Sequence, residues 1–348
     1  MSKSSEEWRH FFEERGVKDK KALLGYLQYI EEIEAKGLPP IFEMQHLSEL
    51  IGVNKSYIAA VTKDSSAFYR DFEVKKRSGG VRVISAPHPT LLLCQRWING
   101  EILQHVPIHD SAFGFAQGRS VVDNAKMHIS GNHLLGMDIK DFFPSIHIDT
   151  VRDTFLGLGY PPNVSAIMAR LCCKDGRLPQ GAPTSPAISN LVCRNMDKEI
   201  SDLVKPRSLI YTRYADDISV SGEDLGSDVL GKIEFILKSF GFLVNEGKTR
   251  ISKGGHKKIV TGISIGTGRP KLPRKEVRSI KADAHALLSY GLLSYIERSE
   301  KPDPLVVERL MGRVAFWLQV EPENSTAVKL KSNLQDLSNQ MDRGRFRL

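Results

Sequence analysis

The stretch Tyr214-Ala215-Asp216-Asp217 constrains this chain more than any other. It lies between two strand-like runs, Ser208 to Arg213 and Ile218 to Ser221, so the pattern predicts a β-hairpin with two adjacent carboxylates at its turn. Such pairs are common in solvated turns, and alone this one implies no more than that. The same arrangement suits a divalent cation, because Mg²⁺ takes hard oxygen ligands and phosphoryl transfer uses Mg²⁺.

A third carboxylate comes from Leu134-Leu135-Gly136-Met137-Asp138-Ile139-Lys140-Asp141-Phe142-Phe143-Pro144, an apolar strand ending in acid, followed by two aromatics and a turn proline. Two-metal phosphoryl transfer needs carboxylates converging from separate elements, because ions about 3.5–4 Å apart repel one another. Asp138 with Asp216 and Asp217 meets that need. As an isolated residue Asp138 would simply end a strand.

These segments, with Leu178-Pro179-Gln180-Gly181-Ala182-Pro183-Thr184-Ser185-Pro186 between them, resemble motifs A, B and C of the reverse transcriptases, in that order. Within that superfamily the chain is most similar to the bacterial retron reverse transcriptases. Asn124-Ala125-Lys126-Met127-His128 matches their Asn-Ala-x-x-His, and Val260-Thr261-Gly262 matches their Val-Thr-Gly. The resemblance runs from about Phe72 to Gly266.

It implies an α+β right-hand polymerase: fingers, an antiparallel-sheet palm carrying the catalytic acids, and a helical thumb. The expected divisions are a helical extension over 1–70, interleaved fingers and palm over 71–270, and a thumb or RNA-binding region over 271–348. The implied activity is RNA-directed DNA synthesis on a cognate structured non-coding RNA, primed from an RNA 2′-hydroxyl and leaving a branched RNA–DNA product (msDNA). A role in antiphage defence, an effector or toxin partner, and removal of RNA by a host RNase H also come from the resemblance, since no RNase H module is visible. Group II intron and abortive-infection reverse transcriptases are the nearest rivals, and the Asn-Ala-x-x-His and Val-Thr-Gly matches argue against them. A non-catalytic RNA-binding scaffold is disfavoured by the three acids.

Residue roles follow the same resemblance. Asp138 and Asp216 would bridge two Mg²⁺ ions, with Mn²⁺ as a substitute, the Ile139 carbonyl would add a ligand, and Asp217 would help hold the catalytic ion. Lys75 and Arg82, on opposite arms of a fingers hairpin, would close over the triphosphate of a dNTP. Neighbouring Lys76 and Arg77 compete with Lys75, and a solvated basic turn is the alternative. Phe143 would exclude a ribose 2′-hydroxyl, while Phe142, placed on the opposite side by strand alternation, would be core. Asp141 either lines the 3′-hydroxyl pocket or is a surface residue. Gln180 and Gly181 would approach the nucleotide and nascent pair. Lys248 is either a proton donor to pyrophosphate or a phosphate contact. Asn124 and His128, four apart, would share a helix face and read the RNA, unless His128 is a hydrogen-bonded core residue. Val260, Thr261 and Gly262 would open the primer grip.

Among the 348 residues, 41% are apolar, enough for a substantial core. The net charge of +8 favours a polyanionic partner. From Lys248 to Arg278 ten basic residues are opposed only by Glu276, and the tail adds Arg343, Arg345 and Arg347. Counterion release by such a sector fits nucleic-acid phosphates. Cys94, Cys172, Cys173 and Cys193 lack zinc-site spacing and read as reduced and buried. No apolar run approaches the roughly eighteen residues of a span, and residues 1–7 carry no apolar signal core, so a cytoplasmic protein without membrane contact is expected.

Helical periodicity covers residues 5 to 36 after a capping-like Ser4/Ser5, with Gly37-Leu38-Pro39-Pro40 as a stop. A short helix pair is predicted over Ser48 to Ala60, a hairpin over Phe72 to Ile84, and helices at Leu91 to His105, Val164 to Cys173, within Pro186 to Leu203, and at Ser227 to Phe240. Further helices are predicted from Lys275 through Tyr295 and from Pro304 to Leu318.

Overall fold

Alternating side chains in two strand runs generate the platform on which the rest is built. The computed structural model describes residues 5–16, 18–75, 79–254, 257–297, 303 and 305–342. Its strands are β1 (Tyr69–Lys75), β2 (Val81–Pro87), β3 (His133–Asp138), β4 (Ile210–Tyr214), β5 (Asp217–Gly222), β6 (Arg250–Ser252), β7 (Ile259–Val260) and β8 (Ile263–Ser264). Four of them form an antiparallel sheet in the order β4-β5-β3-β6, while β1-β2 and β7-β8 are separate hairpins.

Register gives the sheet two chemically different faces, because side chains alternate. Leu135 lies opposite Val220 and Met137 opposite Ile218, and these point into the main core with Tyr211. Gly136 lies opposite Ser219 and Asp138 opposite Asp217, so the other face is small, polar and acidic at one end. Helices Ser185–Val192, Arg194–Val204 and Val229–Ser239 contribute Ile188, Met196, Ile200, Ile233 and Leu237 to the core beneath the apolar face. The predicted α+β palm therefore has its acids on one side and these three helices on the other.

Local chemistry explains where the elements depart from the expected boundaries. The span 5–36 is two helices, Ser5–Glu14 and Lys20–Glu34: the chain turns at Gly16, and the Asp19 side chain accepts from the Lys21 N–H at 2.8 Å to start the second. Ser4 lies outside the described residues, as do Lys76, Arg77 and Ser78 of the fingers turn and Arg343, Arg345 and Arg347 of the tail. The helix expected within 186–203 is split after Val192. Helices Ile148–Leu158 and Ser325–Asp342 were not anticipated. Phe142 and Phe143 lie on a short helix, Phe142–Ser145, so a helical turn rather than strand alternation separates them.

Hydrophobic packing divides into a main core running from Ile33 to Phe242, and a second cluster joining helix Val121–Met127, β7, β8 and the helices Arg274–Glu297, Val306–Val320 and Ser325–Asp342. Helix Arg274–Glu297 is broken at Gly291. Trp8, Phe12, Leu23 and Ile30 form a small amino-terminal cluster. All four cysteines are buried and free, and burial pushes their thiols up.

One charged pair sits inside the main core. Arg213, on the apolar side of β4, is 0% exposed and donates through Nε to Asp197 Oδ1 (2.8 Å) and through Nη2 to Asp197 Oδ2 (2.7 Å). It also donates to the Asn190 side chain at 3.1 Å and to the carbonyl of Ala215 at 3.2 Å, while the Tyr211 hydroxyl donates to Asp197 at 2.7 Å. Breaking such a pair strands a buried charge, so Asp197→Ala is expected to cost about 3–5 kcal/mol, read from the urea midpoint. The double replacement Arg213→Met with Asp197→Leu is expected to recover stability while polymerisation stays impaired, because the Ala215 carbonyl has lost its donor.

Candidate active site

Strand pairing alone brings the three acids together. Asp138 ends β3 directly opposite Asp217, the first residue of β5, and Asp216 lies in the two-residue turn between Tyr214 and Asp217. The Ile139 N–H donates to the Asp216 carbonyl at 2.9 Å, closing turn against strand. Ala215 takes φ +57°, a left-handed conformation that strains a side chain-bearing residue. The Arg213 bond to its carbonyl holds it there.

Like charges placed opposite one another destabilise a sheet. Burial, then the Asp138 charge, raises the Asp216 carboxyl above the usual range, partly offset by Lys248 and Arg82. Asp217 reaches solvent as a residue, yet it stands over dense protein, and that desolvation, followed by Asp216 and Asp138, pushes it up to about 6. Asp138 is neutralised locally: Lys248 Nζ donates to its Oδ2 at 2.7 Å and Asn245 Nδ2 to its Oδ1 at 3.2 Å. The Asn245 N–H also donates to the Asp138 carbonyl at 2.8 Å, so the loop carrying Lys248 is laced to the end of β3. The hydrogen bond to Asp138 raises the Lys248 pKa, keeping it protonated.

Among the described residues no three Asp, Glu, His or Cys side chains enclose an ion position. The donor set nonetheless fits a hard dication: carboxylate oxygens at one sheet end, two of them with pKa values raised by burial and then by neighbouring acids, a penalty that a cation would relieve.

Other expected residues fall at differing distances from this centre. Arg82 lies opposite Val74 and Lys75 opposite Val81, so Arg82 and Lys75 project from opposite faces of the fingers hairpin. Arg82 is the one whose field reaches Asp216. Phe142 is buried at 3%, and Phe143 packs beside it with ring centroids 5.4 Å apart. Asp141 is exposed at φ +47° just before that helix. The Gln180 carbonyl accepts from the Ser85 N–H at 2.7 Å. At Gly181, φ +120°, a Cβ would lie 2.6 Å from the Ser85 carbonyl oxygen, so glycine here permits the close approach of the loop to β2.

Asn124 and His128 are both buried. His128 follows helix Val121–Met127, is 0% exposed, and spends both ring nitrogens on hydroxyls at 2.7 Å, Ser221 on β5 and Thr212 on β4. Asn124 is buried too, its Nδ2 3.5 Å from Thr261 Oγ1. Direct contact of either side chain with RNA is therefore closed in this arrangement. Thr261 (φ +44°) and Gly262 (φ +85°) form the tight turn joining Val260 to Ile263 and line a groove of about 630 Å³ with Lys257, Lys275, Arg309 and Phe316. Lys258, from the basic run, is buried with Nζ on the Gly131 carbonyl, so it is not available to phosphates.

Sequence reasoning missed Arg213, Asp197 and Asn190. The signal was present as an arginine inside an otherwise apolar strand, which has to find a buried partner.

Comparison with known proteins gives the family. A family model described as reverse transcriptase (RNA-dependent DNA polymerase) matches residues 74–280. The retron Ec86 reverse transcriptase of Escherichia coli is 32% identical over 292 residues, covering 83% of this chain and 88% of that protein. The retron Mx65 reverse transcriptase of Myxococcus xanthus is 33% identical over 295 residues, covering 76% and 68%. A solved telomerase from Candida albicans superposes with TM-score 0.47 at 11% identity, over 81% of this chain and 66% of that one.

Burial lowers the His128 pKa from 6.5 to about 4. Between those values the unfolded chain binds the extra proton, so this residue's contribution to stability is lost as pH falls from about 6.5 to about 4. Asp217 acts with the opposite sign over part of that window, since its raised pKa favours the native state on protonation. The difference between wild type and His128→Gln isolates the histidine. It is expected to shrink by up to about 3 kcal/mol across the window in urea titrations run at successive pH values.

Proposed function

Because the chain belongs to the retron reverse transcriptase family, and is thus an RNA-directed DNA polymerase using an RNA template and dNTPs, we propose that it copies part of one cognate structured non-coding RNA. Synthesis starts from a 2′-hydroxyl of that RNA and leaves DNA branched to RNA, the msDNA form. The observation that carries the catalytic part is the register of β3 against β5, which sets Asp138 opposite Asp217 with Asp216 one residue away. In this reading residues 71–270 form fingers and palm, 271–348 the thumb, and 1–70 a helical extension. The protein works in the cytoplasm and in antiphage defence with an effector partner, a host RNase H trimming the RNA. No helix among the described residues is long and apolar enough to cross a membrane.

Asp138, Asp216, Asp217 and the Ile139 carbonyl would hold two Mg²⁺ ions, or Mn²⁺ in their place. When bound, the ions supply charge neutralisation at the reacting phosphate. The chain's own residues do the positioning. Arg82 binds the triphosphate from the fingers hairpin, whose opposite face carries Lys75. Gln180 and Gly181 shape the nucleotide pocket through the loop held on β2, and Asp141 faces the 3′-hydroxyl. Phe143 bars a ribose 2′-hydroxyl. Lys248, protonated beside Asp138, is placed to give a proton to, or bind, the leaving pyrophosphate.

RNA choice is assigned to the groove lined by Thr261 and Gly262 and to the helices after Lys275, because discrimination between RNAs needs positioned polar groups as well as charge. Asn124 and His128 support that surface from beneath.

Asp216→Asn removes one charge at nearly constant size. Primer extension in Mg²⁺ is expected to fall at least about a thousandfold, while RNA affinity by filter binding is unchanged. Extension near the wild-type rate would falsify the metal assignment. Replacing residues after Lys275 with the matching part of a related enzyme is expected to transfer template preference; a swapped chain that still starts on the original RNA refutes the thumb reading.

A further inference from the structure

Phe115 is a large apolar residue that the fold treats wastefully. It is 50% exposed, and it belongs to none of the hydrophobic clusters among the described residues. Its backbone sits at φ +61°, a region that bulky L-residues rarely adopt and that carries a strain cost. Nothing in core packing accounts for accepting both penalties at one residue.

The segment before it is fixed against the acidic turn. At Gly114 a Cβ would lie 2.4 Å from the Ala215 nitrogen and 2.9 Å from the Tyr214 carbonyl carbon, so backbone touches backbone there. The Phe113 and Gly114 N–H groups both donate to the Arg213 carbonyl, at 2.7 and 3.4 Å. Asn190 Nδ2 donates to the Gly114 carbonyl at 2.8 Å, and Asn190 is in turn held by Arg213. The buried network that holds Ala215 thus also holds Phe115 in its strained conformation.

What that conformation achieves is a single ring contact. Among the described residues the one aromatic ring that Phe115 pairs with is Phe143, with centroids 6.1 Å apart and planes tilted by 40°, within the range of favourable aromatic pairs. Phe143 therefore has two ring neighbours, the buried Phe142 and the half-exposed Phe115.

We propose that Phe115 is a positioning residue for sugar selection, a second aromatic wall that stops the Phe143 ring from swinging aside to admit a ribonucleotide. This rests on Phe143 being the sugar gate. A gate of one ring excludes a hydroxyl only if the ring cannot yield, and a second ring neighbour denies it that movement. Because the same network fixes Phe115 and the Asp216 turn, the gate is held in register with the acids.

The test compares kcat/KM for dNTP and rNTP addition on a primed RNA template by wild type, Phe115→Ala, Phe115→Gly, Phe115→Tyr, Phe143→Ala and the Phe115→Ala/Phe143→Ala double variant. Phe115→Ala and Phe115→Gly are expected to lower discrimination by about two- to tenfold, the range an aromatic pair's coupling gives, while Phe115→Tyr keeps it. Phe115→Gly relieves the left-handed strain, so it is expected to melt no lower than Phe115→Ala; loss of selectivity in this variant separates a positioning role from general destabilisation. The double variant is expected to discriminate no worse than Phe143→Ala alone. Unchanged discrimination in the Phe115 variants, with Phe143→Ala relaxed, overturns the proposal and leaves the gate standing. Unchanged discrimination in Phe143→Ala overturns the gate reading and this inference with it.

Discussion

Concentrated negative charge at the end of one sheet is the constraint to which the rest of the structure answers. Asp138, Asp216 and Asp217 are brought together by backbone pairing, and pairing cannot relax to spread them without breaking the β3–β5 ladder. The molecule meets this repulsion in two ways. Lys248 and Asn245 neutralise and bond Asp138 from the adjoining loop, while the other two acids keep pKa values raised by burial and then by their acidic neighbours. The turn that carries Asp216 is then clamped from the opposite face of the sheet by Arg213, whose own charge is settled on Asp197 deep in the core. A buried ion pair is seldom a net gain in stability over well-packed apolar residues. Its use here is geometric: it delivers a hydrogen-bond donor to the Ala215 carbonyl from a direction in which only the core is available.

The helix Val121–Met127 plays a related part on the acidic face. Asn124 on it and His128 just after it are spent inward, Asn124 towards the strained Thr261 turn and His128 onto hydroxyls of β4 and β5. Motifs widely separated in the chain thereby form one physical unit, linking the groove beside Thr261 and Gly262 to the strands that carry the acidic turn. A neutral His128 suits this role, because a buried imidazole between two hydroxyls can donate to one and accept from the other.

Those parts of the structure were legible in the sequence where local pattern and chemistry coincide. The hairpin around Asp216 and Asp217, the strand ending in Asp138, and the burial of the cysteines each follow from residues close together in the chain. Partners across long separations were not legible. Nothing near Arg213 names Asp197 or Asn190, and Asn124 and His128 look as polar in sequence as any RNA contact. Burial decides their role, and burial is set by tertiary packing of the second hydrophobic cluster against the sheet. The break at 15–19 was missed for a simpler reason: amphipathic periodicity on both sides outweighed Gly16 and the Asp19 cap. Lys75 and Arg82 were paired by their positions on opposite arms, whereas the register that separates their faces depends on where the turn begins.

Strain follows the same logic as charge. Outside glycine, left-handed backbone occurs among the described residues at Phe115, Asp141, Asp175, Ser208, Ala215 and Thr261. Two of these, Ala215 and Asp141, flank the acids and the Phe143 ring, Phe115 pairs with that ring, and Thr261 lines the groove. Each costs free energy that random surface turns avoid, and each persists only where neighbouring bonds over-determine it. For Ala215 and Phe115 those bonds come from the Arg213 network, and for Thr261 the neighbour is Asn124. Buried polar groups and strained exposed ones are therefore two ends of the same device. The core holds the polar groups rigid, and that rigidity keeps the turns at the surface in conformations that they would not adopt alone.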